Sequence, residues 1–196
     1  MYIAAGSLKE FIRFYPIVSM LIFTNVLLYI LLTVPLFPNQ LIFEKTAGIH
    51  IYIAGGEVWR LFTPIFIHLH FQHLLFNLFA LFLFGTVLEP QVKKPTFLLI
   101  FLSSGVFANI ITYIFAPPTY VHVGASGAIF GLLGAVTSLI ALKKINGQEA
   151  RVFLLTIVLA VVFSFLQPDV NLYAHCGGFL FGLLCGYWIA SREILS

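Results

Sequence analysis

The sequence predicts an all-α, polytopic membrane protein: a bundle of six transmembrane helices with a structured first loop at the membrane interface. Three observations carry that prediction. Of 196 residues, 61% are hydrophobic and only 9% are charged, against about 25% charged in a soluble globular domain. A chain of this size has too little interior to hide so much apolar surface from water, so most of that surface must face lipid. The apolar residues also run on in long unbroken stretches. Spanning helices of about 20 residues require this, whereas a membrane barrel would show an alternating pattern.

The stretches fall at about 14–36, 71–88, 95–116, 125–142, 152–166 and 172–191. The first is too long for the apolar core of a signal peptide and has no small-residue cleavage site, so it reads as a retained span. The fifth is short, which suits little tilt or a locally thinned bilayer. Between the first two lies 37–70, too polar to span. It holds Ile49, Ile51, Tyr52 and Ile53, then Gly55, Gly56, Trp59 and Arg60. That is the composition of a loop resting in the interface, where Trp and Arg prefer to sit. The sequence carries no internal repeat and no low-complexity tract, so residues 1–196 read as a single membrane domain.

With six spans, both termini share one side. That side collects Lys9, Arg13, Lys93, Lys94, Lys143, Lys144, Arg151 and Arg192, leaving only Lys45 and Arg60 for the other. The positive-inside rule therefore predicts cytoplasmic termini, with spans two, four and six all starting at the outer face. Cys176 and Cys185 lie nine residues apart in one apolar run. On a helix that is roughly 13 Å of rise, beyond disulfide reach, and they read as small core residues.

Polar side chains inside spans are expensive in lipid, so they are the candidates for function. They gather at the outer ends of three spans. Ser126 opens span four, in Gly124-Ala125-Ser126-Gly127-Ala128-Ile129-Phe130-Gly131, and His175 opens span six, in Ala174-His175-Cys176-Gly177-Gly178. His73 and Asn77 lie near the start of span two, after His68 and His70. A serine becomes a nucleophile beside a base, and a neutral imidazole is a suitable one. Gly127 and Gly131 are four apart, as are Gly178, Gly182 and Gly186. Such stripes mark close helix packing, and stripes facing each other would make neighbours of Ser126 and His175. His73 and Asn77 share a helix face. They offer N–H donors for an oxyanion alongside the backbone N–H of Ser126 at its helix N-terminus, although each taken singly is equally an interhelical hydrogen-bond partner. None of the seven acidic residues falls inside a span beside His175; Asp169, in the loop before span six, comes nearest along the chain. The residues therefore favour a Ser–His dyad over a triad.

These motifs resemble the rhomboid family of intramembrane serine proteases, over nearly the whole chain. GASGAIFG around Ser126 is similar to the family's GxSG nucleophile motif, and AHCGGFLFG around His175 to its sixth-span AHxxGxxxG. HLHFQHLLFN supplies the second-span histidines and asparagine as His68, His73 and Asn77. Trp59-Arg60 match the WR pair of the first loop, and Gly85 with Glu89 the GxxxE at the far end of span two. The resemblance implies a six-span fold and cleavage of a peptide bond in or beside a transmembrane segment, near the outer face and through an acyl-enzyme. It assigns Ser126 as nucleophile, His175 as base, and His73, Asn77 and the Ser126 amide as oxyanion contacts. It gives Gly124 and His68 supporting roles, and places Phe130 to stack on His175 where relatives usually carry tyrosine. Trp59-Arg60 and Glu89 read as structural anchors. Pro64 stands where some bacterial relatives have a further histidine. Substrates would enter between spans two and five, with span five and the loop 167–171 as a movable gate.

Three other readings compete. A non-catalytic relative that escorts transmembrane helices would have no evident need for both Ser126 and His175. A metal or haem protein using His68, His70, His73 and His175 would lack the HExxH pattern and a carboxylate to complete a hydrolytic zinc site. A transporter would show mid-span ionisable residues or an inverted repeat. The expected partners are therefore transmembrane protein substrates and membrane lipid, with no metal, cofactor or nucleic acid. The expected location is a prokaryotic plasma membrane.

Overall fold

The first apolar run, 14–36, forms one long helix. In the computed structural model, which describes residues 6–145, 147–166 and 170–192, this is α2 (Pro16–Thr33), and a short helix α1 (Leu8–Phe14) precedes it. Pro16 has no N–H to continue the helical ladder and disfavours helical backbone at the residue before it. Tyr15 accordingly sits at φ −126°, ψ 61°. In α1, Ser7 accepts the Glu10 N–H at 3.2 Å, with Glu10 in the first turn and Arg13 in the last. Each charge lies at the end of the helix dipole that favours it.

The first loop is folded, not slack. It runs through α3 (Asn39–Thr46), a two-residue strand β1 (Gly48–Ile49), α4 (His50–Ala54) and 3-10 turns at Val58–Leu61 and Thr63–Phe66. Arg60, 1% exposed, organises it. Its guanidinium pairs with Glu57 at 2.6 Å, donates to the Ala47 carbonyl at 2.8 Å, and lies 4.9 Å from the centre of the Tyr52 ring. Trp59 Nε1 donates to the Lys45 carbonyl at 3.3 Å. The Trp59-Arg60 pair thus anchors the loop to itself.

The longer helices follow: α5 (Phe71–Leu88) with a 3-10 turn at Glu89–Gln91, α6 (Lys94–Phe115), α7 (Ser126–Ala141), α8 (Gly147–Leu166) and α9 (Leu172–Ser191). The fifth apolar run lies within α8, whose first turn contains the polar Gly147-Gln148-Glu149 and brings the helix to 20 residues. A short strand β2 (Val121–His122) precedes α7 and pairs antiparallel with β1, Gly48 opposite His122 and Ile49 opposite Val121. This ribbon, absent from the sequence prediction, ties the first loop to the α6–α7 connection. Glycine is needed at 48 because a Cβ there would run into the His122 ring. Asp169 and residues 167–168 lie outside the described residues.

Among the described residues, four segments are long and apolar enough to cross a membrane: Pro16–Thr33, Phe71–Gln91, Lys94–Phe115 and Leu172–Ser191, with window mean hydropathies of 1.3 to 2.1. Large apolar side chains such as Phe23, Leu99, Leu155 and Leu184 point outward, the reverse of a soluble protein and what a lipid solvent selects. The chain is an integral, multi-pass helical membrane protein. At one end of the bundle, Glu89 accepts the backbone N–H groups of Ile17 and Val18 at 2.8 and 2.9 Å. It thereby satisfies two of the orphan donors at the start of α2 and joins α5 to it. α7 is the central helix, with twelve buried residues and α5, α6 and α9 packed around it.

Candidate active site

Ser126 is the first residue of α7, and His175 sits in the first turn of α9. The two helix starts approach because nothing stands between them. A Cβ on Gly178 would fall on the Gly127 carbonyl oxygen and one on Gly182 on that of Gly131, while one on Gly186 would lie 2.6 Å from the Ala135 oxygen. The small-residue stripes therefore face each other and the backbones touch. Further down, Ser138 Oγ donates to the Leu183 carbonyl at 2.6 Å, a polar tie between the same helices.

The turn that delivers Ser126 is held from α5 and the loop before it. Gly124 adopts φ +121°, a conformation suited to glycine, and its N–H donates to the Pro64 carbonyl at 2.9 Å. The His73 imidazole lies over Gly124, where a Cβ would be 2.7 Å from both Cε1 and Nε2. The Ala125 N–H donates to His68 Nε2 at 3.4 Å, which puts the His68 proton on Nδ1. His68 is fully buried. That burial, with His73 beside it, pushes its pKa down to about 3 and keeps it neutral. The two rings meet edge-on at 4.9 Å. Asn77, one turn beyond His73 and 6% exposed, spends one amide hydrogen on the His73 carbonyl at 2.8 Å, leaving the other uncommitted. Ser126 itself begins α7 without a side-chain cap, so the first N–H groups of the helix are available.

Around His175 the arrangement is tighter. Phe130, one turn after Ser126, stacks on the imidazole with ring centres 4.0 Å apart and planes at 14°. The first turn of α9 is fixed by Asn171, whose Oδ1 accepts the Ala174 N–H at 3.0 Å and whose Nδ2 donates to Thr112 Oγ1 at 3.0 Å. Among the described residues, the one side-chain hydrogen bond of His175 joins Nδ1 to Ser164 Oγ, at 2.9 Å. Ser126 and His175 are not directly hydrogen-bonded to each other.

The structure thus gathers Gly124, His68 and His73 at the turn before Ser126, and Phe130 against His175. Asn77 lies on the same helix as His73, one turn deeper. His70 is exposed at the edge of this cluster, near His73, and among the described residues no group of three or more histidine, cysteine or acidic side chains is arranged to hold a metal ion. Sequence reasoning missed Ser164 and Asn171. Ser164 carries a signal that could have found it: a lone hydroxyl near the outer end of the fifth apolar run, at the depth of the other polar groups. What stands here is a hydroxyl at a helix N-terminus, an imidazole clamped by stacking and by a hydrogen bond, and neighbouring N–H donors. Those are the parts of an acyl-transfer site.

Residues 55–192 match the family model for the rhomboid domain. The chain is 40% identical over 191 residues to the Bacillus subtilis protein named "Putative rhomboid protease YdcA", covering 94% of this chain and 96% of that one. It is 38% identical over 132 residues to the Bacillus subtilis "Rhomboid protease GluP", covering 66% of this chain but only 26% of that longer protein. It is 34% identical over 158 residues to the Arabidopsis thaliana "RHOMBOID-like protein 1", covering 76% of this chain and 40% of the relative.

Proposed function

The chain belongs to the rhomboid family of intramembrane serine proteases, and from this premise we propose that it cuts transmembrane segments near the outer face of a plasma membrane through a Ser126–His175 dyad. The observation that carries the proposal is the meeting of the two helix starts: Gly127 against Gly178, with His175 stacked on Phe130 at 4.0 Å. Phe130 is one helical turn from Ser126, so its stack with His175 brings the imidazole to the serine's end of α7.

The reaction follows from the groups at hand. His175 Nε2 takes the Ser126 hydroxyl proton as Oγ bonds to the scissile carbonyl carbon. The carbonyl oxygen becomes an oxyanion, met by the Ser126 backbone N–H, the free amide hydrogen of Asn77 and the His73 ring. Collapse breaks the C–N bond, and the proton on His175 passes to the leaving amine. Water, deprotonated by His175, then adds to the acyl-enzyme and releases Ser126. The Ser126–His175 hydrogen bond forms on substrate binding, since catalytic hydrogen bonds often tighten only in the complex.

The length of α7 supports the depth assignment. Its 16 residues span about 24 Å, less than the roughly 30 Å of hydrocarbon. With Lys143 and Lys144 just past its end at the cytoplasmic interface, Ser126 lies several ångströms below the outer one. Substrates enter between α5 and α8, and both termini are cytoplasmic by the distribution of Lys and Arg.

The test is labelling of the purified protein with a serine-directed fluorophosphonate, paired with cleavage of a model single-pass substrate. Labelling and cleavage should vanish in Ser126→Ala, and both should collapse in His175→Ala. Cleavage by Ser126→Ala at the wild-type rate would refute the mechanism.

A further inference from the structure

We propose that Ser164, on α8, is a positioning residue for the catalytic base: its hydroxyl holds His175 in the tautomer that keeps Nε2 free to act on Ser126. The inference rests on the reading of His175 as base given above.

Ser164 can satisfy two neighbours at once in one arrangement only. Its Oγ lies 2.9 Å from the Ala160 carbonyl oxygen, one turn back on α8, and 2.9 Å from His175 Nδ1. A carbonyl oxygen only accepts, so both contacts are hydrogen bonds together when the single Ser164 hydrogen goes to Ala160 and Nδ1–H donates to an Oγ lone pair. In that arrangement the proton is on Nδ1 and the lone pair on Nε2, as a general base toward Ser126 requires. When the ring becomes an imidazolium during acylation, Nδ1–H keeps the same acceptor. Ser164 thus occupies the place that a carboxylate fills in a Ser–His–Asp triad, in a chain with no acidic residue inside a span beside His175.

The acceptor comes from a helix that is otherwise loosely held. α8 turns Val152, Leu155, Val158, Leu159 and Val162 outward, while Ser164 is 5% exposed. Phe130 fixes the plane of the imidazole by stacking but does not distinguish the ring from its half-turn flip about the Cβ–Cγ bond, nor one tautomer from the other. Ser164 removes that ambiguity, and so makes the orientation of the base depend on α8 being seated.

The experiment combines a structural and a kinetic readout on the full-length protein. Nitrogen-15 NMR of histidine-labelled protein, with the His175 signals identified by their loss in His175→Gln, reports which ring nitrogen carries the proton. Wild type should show a protonated Nδ1. Ser164→Ala should lose that single tautomer and acylate with fluorophosphonate about tenfold more slowly, the ratio one such hydrogen bond carries. Its kcat on a model substrate should fall by the same factor with KM little changed. Ser164→Thr, which keeps the acceptor, should restore both tautomer and rate. Thermal unfolding of each variant controls for folding. An unchanged tautomer and rate in Ser164→Ala, or failure of Ser164→Thr to restore them in a folded protein, overturns the proposal. A tautomer that shifts in Ser164→Ala while wild type takes up no fluorophosphonate overturns the protease reading instead.

Discussion

Replacing Gly178 by alanine should disable the enzyme while leaving a folded protein, and the size of the effect follows from the α7–α9 contact. The added Cβ would overlap the Gly127 carbonyl oxygen and lie 2.9 Å from its carbonyl carbon and 3.3 Å from the Gly127 Cα. Carbon atoms in ordinary contact stand about 3.5–4.0 Å apart, so α9 must withdraw by about 1 Å at this level. Both surfaces are backbone and no side chain can swing away to absorb it, so overpacking should cost roughly 1–3 kcal/mol of stability. Gly178 is one turn from His175, and Gly127 follows Ser126. The displacement therefore falls on the dyad, where about 1 Å of misplacement costs on the order of 10²-fold in rate. Gly186→Ala supplies the control. Its Cβ would lie 2.6 Å from the Ala135 oxygen, a similar clash three turns from His175, so it should lose comparable stability but much less activity. The assays are thermal unfolding in detergent and the rate of fluorophosphonate labelling, each per folded molecule. Gly178→Ala labelling within about threefold of wild type would show that helix proximity does not set the site.

Three further outcomes follow from contacts already described. Phe130→Ala removes the ring stacked at 4.0 Å on His175 and should slow acylation by up to about tenfold, since such a pair is worth about 0.5–1.5 kcal/mol; Phe130→Tyr should preserve the rate. Glu89→Gln removes the charge that accepts the Ile17 and Val18 N–H groups, and should lower stability by about 1–2 kcal/mol with little change in activity per folded molecule, as read by thermal unfolding beside labelling. Acid should destabilise the first-loop region. Burial lowers the pKa of His68 to about 3 and of His122 to about 4, and each nearby histidine adds to it. The unfolded chain, titrating near 6.5, then binds protons that the folded chain refuses. Stability from these groups is complete above about pH 6.5 and falls as the pH drops, by on the order of 1.4 kcal/mol per unit for each histidine, down to its folded pKa. His122→Gln should flatten the dependence of melting temperature on pH between 6.5 and 4, and an unchanged slope would contradict this assignment.

What was legible in the sequence follows from which forces act locally. Lipid exposure writes itself into composition, so the helical membrane class could be read from 61% hydrophobic content and unbroken apolar runs. Gly127, Gly131, Gly178 and Gly182 could be paired in advance because close packing needs small residues at a fixed spacing. Motif resemblance placed Phe130 against His175, and the rings do stack. The first run, 14–36, matches α2 (Pro16–Thr33), but the short helix α1 before it, broken off at Tyr15–Pro16, is too short and mixed in polarity to show in a count of apolar residues. The β1–β2 ribbon, two residues a side, is too short to show a period of two. His50 and His122, both buried there with ring centres 5.4 Å apart, come from segments some seventy residues apart, and neither signals the other. Asn171 was hidden for the same reason: its side chain bonds Thr112 on another helix.

The proposed role of Ser164 can be weighed against a carboxylate in the same place. A carboxylate beside His175 would sit between α8 and α9, where His175 is 9% and Ser164 5% exposed. Taking an ion out of water costs several kcal/mol even after relaxation, and a single neutral N–H donor offsets only part of it. In the resting enzyme the imidazole must be neutral to act as a base, so such a carboxylate would have one Nδ1–H donor and no opposite charge beside it. A hydroxyl avoids that penalty. It accepts from Nδ1–H without a charge to desolvate, while its own hydrogen is satisfied by the Ala160 carbonyl within α8, so no buried polar atom is left over. The cost is weaker stabilisation of the imidazolium that forms during acylation. Stacking on Phe130 offsets part of it, since an aromatic face favours the cationic ring over the neutral one. On the proposed mechanism, a Ser126–His175 dyad backed by the Ser164 hydroxyl and the Phe130 ring thus avoids burying a charge in the low dielectric of a membrane interior.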